Sequence, residues 1–240
     1  MKITKTRKLV TSAILIALAI ALNFIKIIHM PLGGSVTLLS MLPIVLISVM
    51  FGLKWGFASS FVYAMLHLVI SGIAQDGVLG WGLKWYSLLG CFLLDYIIAF
   101  AVLGIAGVFR KEGTLGITAG VSLALILRFV SHLLSGVLIF ANFDEFVVFG
   151  EKWIGRPWLY SAVYNGFFML PELIMTAIAA AIVANLPVIK KYLPRKSAGD
   201  DADKKHGIIG VSVNSALAWT LIALFTAAFA AALLIMAYEA

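Results

Sequence analysis

The sequence predicts an all-α integral membrane protein, a six-helix bundle with one additional transmembrane helix near the C-terminus. Two observations lead to this prediction. Of the 240 residues, 62% are hydrophobic and 12% are charged, whereas soluble domains are about half apolar and about a quarter charged. The apolar residues also fall into long runs, and a helix that crosses a bilayer needs about 20 of them.

Seven apolar runs are candidates for spans. They cover residues 9–29, 36–52, 55–73, 86–109, 115–141, 158–189 and 214–238. The run at 36–52 is short, so we expect it to tilt or to begin within the preceding loop. A polar segment separates the last run from the other six. We therefore predict a six-helix membrane domain over 1–192, a polar cytoplasmic linker over 193–213 and an extra transmembrane helix over 214–240.

The basic residues lie in short clusters between the apolar runs, which is typical of membrane topology and not of a nucleic-acid surface. With the N-terminus inside the cell, thirteen Lys and Arg fall on the cytoplasmic side, and four (Lys26, Lys84, Lys152 and Arg156) fall outside. Cytoplasmic loops carry this excess of positive charge. The sequence therefore predicts a multi-pass protein of the cell membrane with a cytoplasmic N-terminus, in contact with lipid and not with nucleic acid.

Four tryptophans fall in the outer loops of this topology. They are Trp81, Trp85, Trp153 and Trp158. Indole rings favour the boundary between lipid and water, so we interpret these residues as an aromatic belt.

Three polar residues lie within the predicted spans at a similar depth. Counted from the outer helix ends, Asp95 and His132 are roughly 14 Å and Asn165 roughly 10 Å into the membrane. Ionisable side chains at such depth are costly and usually face a cavity or one another. An interhelical hydrogen bond and a ligand are equally good partners for the Asn165 amide. The shared level favours a pocket that is entered from outside, provided that the three helix faces converge.

A stripe of four residues lies along one face of the fifth span, because Arg128, His132, Gly136 and Phe140 recur every four residues. In order, they offer a ligand a cation, an imidazole, a gap and an aromatic surface. Alternatively, the stripe is a helix-packing face in which Gly136 permits close approach and Arg128 pairs with Asp95. The spacing leaves both interpretations open.

Two further features have simpler interpretations. Glu172 follows Pro171 in the sixth span, and we expect its carboxyl group to relieve the backbone that the proline disturbs. Ala13, Ala17 and Ala21 form a small-residue ladder on one face of the first span, which lets another helix pack closely. A contact within the bundle explains this ladder as well as a contact with a partner.

Motifs for nucleotide hydrolysis and for catalysis are absent from the sequence. It contains no GxxxxGK[ST] phosphate loop, no GxSxG elbow and no HExxH. Cys91 is the single cysteine, and no Cys/His spacing indicates a metal site. We expect no cofactor, no metal and no ATP hydrolysis by this chain, so uphill transport must be powered by another protein.

Four segments occur in order along the spans: Pro31-Leu32-Gly33-Gly34-Ser35-Val36-Thr37-Leu38, Leu94-Asp95-Tyr96, the Arg128 to Phe140 stripe, and Tyr160-Ser161-Ala162-Val163-Tyr164-Asn165-Gly166. Together they resemble the thiamine-specific S component of energy-coupling factor (ECF) transporters, over about residues 8–192. The resemblance implies a six-helix protein that captures thiamine from outside. It then joins a transmembrane coupling subunit and two cytoplasmic ATPase subunits, which drive release inward.

The resemblance also implies a set of substrate-binding residues. They are Asp95, Tyr96, Arg128, His132, Gly136, Phe140, Tyr160 and Asn165. Asp95 would be the carboxylate facing the ligand, and Phe140 a stacking surface. Thiamine is a cation with an aminopyrimidine ring, so a counter-charge, hydrogen-bonding groups and aromatic faces suit it. Some relatives have glutamate, lysine and tryptophan where this chain has Asp95, Arg128 and Phe140, which alters reach and stacking area.

Two other segments gain a role from the resemblance. The ladder of Ala13, Ala17 and Ala21 resembles the small-residue motif on which S components dock to the coupling subunit. The loop at Gly33 and Gly34 suits a mobile cover near the entrance, and a plain turn between two spans explains it equally well.

Three alternative functions remain. The same architecture could serve another vitamin or a thiamine precursor. An intramembrane enzyme would use Asp95 and His132 as an acid and base within hydrogen-bond reach of each other. In a purely structural membrane partner, the deep polar groups would all pair internally and no cavity would remain.

Overall fold

Six apolar helices form the membrane body of the protein in the computed structural model, which describes residues 3–140, 147–148, 151–152 and 155–194. They are α1 Lys5–Asn23, α2 Leu42–Phe51, α3 Leu53–Gln75, α4 Trp85–Gly107, α5 Gly113–Leu138 and α6 Pro157–Ala184, followed by a short α7 at Pro187–Lys190. Of the first six, all but α2 are long and apolar enough to cross a membrane. This confirms the prediction of a multi-pass helical membrane protein. The linker after Pro194 and the predicted seventh span lie outside the described residues.

The first helix ends earlier than the predicted span of 9–29. Thr4 begins α1 by accepting a hydrogen bond from the backbone N–H of Arg7, which satisfies a donor in the first turn. Beyond Asn23 the apolar run leaves the helix. Its residues form β1 (Lys26–His29), which pairs antiparallel with β2 (Ser35–Thr37). A charged Lys26 at the helix end is better placed in this hairpin, because its ammonium pairs there with Asp76 at 3.0 Å.

The helix α2 lies in the centre of the bundle. All residues from Pro43 to Phe51 are buried, as expected for a helix that is apolar on every side. Its ten residues are too few to cross the membrane alone. The predicted span of 36–52 was therefore too long at its start, because β2 and the following turn occupy that part of the chain.

Both α3 and α4 contain a π-helical segment. In α3 the α-helix Leu53–His67 continues as a π-helix over Leu68–Gln75, and α4 is π-helical over Phe92–Ile98. The two π-helical segments contact each other. A Cβ atom on Gly72 would lie 2.6 Å from ring carbons of Tyr96, so the contact requires a residue without a side chain there. Such segments often occur at functional sites.

The helices α5 and α6 form the most extensive pair in the described bundle. Their closest approach is at Gly136, where an added Cβ would lie 2.1 Å from Ser161 Oγ. The helix α6 continues through Pro171 and ends at Ala184. The predicted span of 158–189 was too long, because Leu186 adopts an extended conformation before Pro187, as residues preceding proline usually do.

Candidate functional site

A cavity of about 850 Å³, counted together with the part of it that is open to solvent, lies among the helices and the β1–β2 hairpin. Its lining includes all eight residues predicted from the sequence: Asp95, Tyr96, Arg128, His132, Gly136, Phe140, Tyr160 and Asn165. The presence of a cavity at these residues argues against a purely structural membrane partner, for which no cavity would remain.

Asp95 is the centre of a polar cluster between α4 and α5. One carboxylate oxygen lies 2.9 Å from Nδ1 of His132, and the other accepts a hydrogen bond from Ser135. Both partners lie on α5, one helical turn apart on the same face. The histidine and the serine together hold the carboxylate on the cavity wall.

Asn165 joins this cluster from α6. Its Nδ2 donates to the backbone carbonyl of His132 at 3.2 Å, and also to the backbone and side chain of Ser161. The helix faces that carry Asp95, His132 and Asn165 therefore converge, as their shared depth suggested. The interhelical hydrogen bond and the cavity position are both present, so the two interpretations of Asn165 are compatible.

Arg128 does not pair with Asp95, contrary to the packing interpretation of the stripe. Its guanidinium lies 4.3 Å from the ring centroid of Phe100, and its Nη1 donates to the sulfur of Met41. Among the described residues, no carboxylate lies within ion-pair distance of it. The reason is geometric: His132, one turn further along α5, already forms the contact with the carboxylate of Asp95.

Two other residues of the stripe have distinct positions. Gly136 lines the cavity, but the space beside it is filled by Ser161, so its main effect is the close approach of α5 and α6. The idea that Gly136 leaves a gap for a ligand ring is therefore wrong. Phe140 meets Trp81 edge to face, with ring centroids 6.0 Å apart.

Trp81 was interpreted as part of an aromatic belt, and the structure corrects this. Its indole lines the cavity and donates from Nε1 to the backbone carbonyl of Asp76 at 3.0 Å. Trp85 and Trp158 are strongly exposed, as a belt requires, and Trp153 lies outside the described residues. Loop composition alone did not distinguish Trp81 from the others, because its contact with Phe140 depends on the tertiary fold.

The β1–β2 hairpin and the turn that follows it reach the cavity and are fastened there by side chains of α6. The backbone N–H of Gly34 donates to the hydroxyl of Tyr164 at 3.2 Å. Glu172 accepts hydrogen bonds from the backbone and the side chain of Thr37 at 2.5 and 2.7 Å. Glu172 therefore anchors the hairpin, and our expectation that it relieves the backbone at Pro171 was wrong.

A second polar group on the cavity wall was not predicted from the sequence. Asn23 of α1 donates from Nδ2 to Ser71 Oγ at 2.8 Å, and its Oδ1 lies 3.3 Å from Nε2 of His67. All three residues are buried and line the cavity. His67 could have been found from the sequence, because it is a histidine within an apolar run. Asn23 could not, because the predicted first span continued beyond it.

The free polar atoms of the cavity are mostly hydrogen-bond acceptors. Nδ1 of His132 faces a carboxylate and therefore carries a proton, so Nε2 of the neutral ring is an acceptor. That Nε2 has no partner among the described residues, and Oδ1 of Asn165 is a further acceptor of a residue that lines the cavity. Together with the carboxylate of Asp95, these atoms suit a ligand that is positively charged and rich in N–H or O–H donors.

The alanine ladder lies on the outside of the bundle. Ala13, Ala17 and Ala21 are all exposed on α1, next to exposed apolar side chains such as Leu18. Among the described residues, no other helix covers the ladder, which argues against a contact within this part of the bundle.

Comparisons with known proteins agree with this architecture. Residues 9–191 match the family described as Thiamine transporter protein (Thia_YuaJ). The chain is 31% identical over 192 residues to the thiamine transporter ThiT of Bacillus subtilis (strain 168), which covers 73% of this chain and 89% of that protein. The solved structure of ThiT from Listeria monocytogenes superposes with a TM-score of 0.57 at 22% identity, covers 78% of this chain and 97% of that chain, and shows the same fold.

These relatives are named as transporters and not as enzymes. The contact of Asp95 with His132 meets the distance that acid–base catalysis needs, but the family that the chain matches is one of transporters. The match over most of the length and the shared helical membrane fold lead to one conclusion: the chain belongs to the thiamine transporter protein family.

Proposed function

We propose that this chain is the substrate-binding membrane subunit of an ECF-type vitamin importer and that it captures thiamine from the extracellular side in the cavity around Asp95. The observation that carries the proposal is the cavity itself. Its free polar atoms are mostly acceptors, and its wall carries the carboxylate of Asp95, in a chain of the thiamine transporter family. A cationic ring compound with amino and hydroxyl groups complements that arrangement.

The positive thiazolium ring of thiamine would lie near Asp95. The attraction between opposite charges is strong in a cavity from which most water is excluded. The amino group of the pyrimidine would donate to Oδ1 of Asn165 or Nε2 of His132. Phe140 and Trp81 supply aromatic faces for the rings, and such faces also attract cations.

The N-terminus is cytoplasmic in this proposal, as the distribution of Lys and Arg indicates. The β1–β2 hairpin then lies on the extracellular side, at the end of α1 that faces away from the cytoplasm. Its contacts with Asp76, Tyr164 and Glu172 close part of the cavity. A ligand from outside would enter past the hairpin.

Release to the cytoplasm would require a transmembrane coupling subunit and two cytoplasmic ATPase subunits. This chain has no phosphate-binding motif, so the energy of ATP would come from those partners. The exposed face of Ala13, Ala17 and Ala21 is suited to the coupling subunit, because small residues let a second helix approach closely.

Ligand binding is tested by titrating the purified protein with thiamine and following tryptophan fluorescence, since Trp81 lines the cavity. Saturable quenching that weakens in both Asp95→Asn and Asn165→Ala supports thiamine and this cavity together. Equal and weak responses in all three proteins contradict thiamine as the ligand. A competition panel of other vitamins and thiamine precursors then identifies the ring compound that the cavity accepts.

Coupling is tested with Ala17→Trp, which enlarges the exposed face of α1. We expect unchanged thiamine binding and loss of uptake in cells that contain the ATPase subunits. Ile178→Trp is the matched control, because Ile178 is exposed on α6 and should leave both binding and uptake intact. Normal uptake by Ala17→Trp contradicts docking through the ladder.

A further inference from the structure

The hydrogen-bond chain of Asn23, Ser71 and His67 is the second polar feature of the cavity. The three side chains are 6%, 3% and 8% exposed, and they come from α1 and α3, not from the helices that carry Asp95, His132 and Asn165. Polar side chains so deep in the bundle normally satisfy one another. Among the side-chain atoms of these three residues, Nδ1 of His67 is buried and has no hydrogen-bond partner among the described residues.

The chain of hydrogen bonds determines what Nδ1 of His67 can do. Nδ2 of Asn23 donates to Ser71, so the other amide atom, Oδ1, is the acceptor that faces Nε2 of His67. Nε2 must therefore carry the proton, and Nδ1 of the neutral ring presents a lone pair. The imidazole is thus held as an acceptor on the cavity wall.

Phe100 packs against both this imidazole and a positively charged side chain. The ring centroid of Phe100 lies 4.1 Å from that of His67 and 4.3 Å from the guanidinium carbon of Arg128. Nε of Arg128 is a buried donor without a partner among the described residues. This part of the cavity lining therefore contains a fixed acceptor, an unused donor and a cation without an ion-pair partner among the described residues.

We propose that His67, oriented by Asn23 and Ser71, is a further ligand-binding residue that accepts a hydrogen bond from an alcohol group of the bound ligand. The inference rests on the proposed function, in which a thiamine-like cation occupies this cavity. For thiamine, the group would be the hydroxyl of its hydroxyethyl arm. His67 would then contribute to specificity for ligands that bear such an arm.

The charges of the cavity favour the alcohol over the other parts of the ligand. A thiazolium ring is repelled by Arg128 and attracted by Asp95, so it stays on the side of Asp95. An amino group conjugated to a pyrimidine donates hydrogen bonds but accepts them poorly. A hydroxyl group does both, so it can donate to Nδ1 of His67, and as a neutral group it is not repelled by the charge of Arg128.

The experiment compares two ligands on the same protein by isothermal titration: thiamine, and the analogue in which the hydroxyl is replaced by hydrogen. On the wild-type protein we expect the analogue to bind about five- to tenfold more weakly, the usual range for one lost hydrogen bond. In His67→Gln, the amide N–H of the new side chain can still reach Asn23. The affinity of this variant for thiamine should be lower than that of the wild type by a similar factor. In this variant, the affinities for thiamine and for the analogue should differ by no more than about twofold.

The outcomes separate the inference from the proposed function. Equal affinity of the two ligands for the wild-type protein overturns the role of His67, and it does so without any variant. The same conclusion follows if loss of the hydroxyl weakens binding to His67→Gln by the wild-type factor. Wild-type protein that binds neither ligand overturns the proposed function and the inference together. Ser12→Ala is a structural control, since Ser12 bonds Trp55 of α3 away from the cavity and should leave both affinities unchanged.

Discussion

The two walls of the cavity stabilise their buried polar groups in different ways. The wall of α4, α5 and α6 holds the carboxylate of Asp95 through a hydrogen bond from His132. The wall of α1 and α3 holds Asn23, Ser71 and His67 in a chain of neutral hydrogen bonds. The comparison shows that the carboxylate cluster and the neutral hydrogen-bond chain are carried by separate helices. We expect the charged wall to supply most of the affinity and the neutral wall to supply specificity.

The largest expected effect comes from removing the charge. Asp95→Asn should weaken thiamine binding by about 3 kcal/mol, roughly a hundredfold, because a charge-assisted contact with the cation is lost. Isothermal titration measures the change. Asp76→Asn is the matched control, since Asp76 lines the same cavity but is neutralised by Lys26. Equal losses in the two variants would show that the charged wall has no special role.

The packing of the charged wall is tested by Gly136→Ala. The new methyl group would meet Ser161, which is fully buried and has no room to move. Forcing α5 and α6 apart should lower stability by about 2 kcal/mol, seen as a lower melting temperature in detergent. Gly80→Ala adds a methyl group where nothing lies within 4 Å and should melt like the wild type. An unchanged melting temperature for Gly136→Ala contradicts the tight contact.

The neutral wall is tested by Asn23→Ala. His67 then loses the partner that orients it, and thiamine affinity should fall by about 1 kcal/mol, as for one ordinary hydrogen bond. The variant Ser12→Ala removes another bond between α1 and α3, at 2.8 Å, outside the cavity. If both variants weaken binding equally, Asn23 acts through helix packing and not through the cavity.

The smallest expected effect concerns the hairpin that covers both walls. Lys26→Gln removes the ion pair with Asp76, which is partly exposed and therefore contributes only about 0.5–1 kcal/mol. Dissociation of thiamine, followed by stopped-flow fluorescence, should become a few times faster. Lys54→Gln changes an exposed lysine of α3 and should have no effect. A rate that is unchanged in Lys26→Gln means that the ion pair does not hold the hairpin.

Sequence reasoning located the charged wall more completely than the neutral one. Asp95, His132 and Asn165 stood out because each is a polar side chain in an apolar run, and helical rise alone placed them at one level. Asn23 was hidden, because the run around it continues to about Ile28 and gave no sign that α1 ends there. Trp81 and Glu172 were seen but misinterpreted, since their partners Phe140 and Thr37 are distant in the chain.

The amino-acid sequence by itself determined that the protein lies in a lipid bilayer, that it is helical and approximately where its spans are. It could do so because the transfer of apolar residues into lipid and the hydrogen bonding of the backbone there depend on local composition. It also identified the polar residues whose burial in a membrane costs free energy unless they have a hydrogen-bonding or charged partner. Only the tertiary structure decided which partner each one has: His132 and not Arg128 for Asp95, and Thr37 for Glu172. These choices depend on which helix faces meet in the bundle, and no periodicity along one chain contains that information.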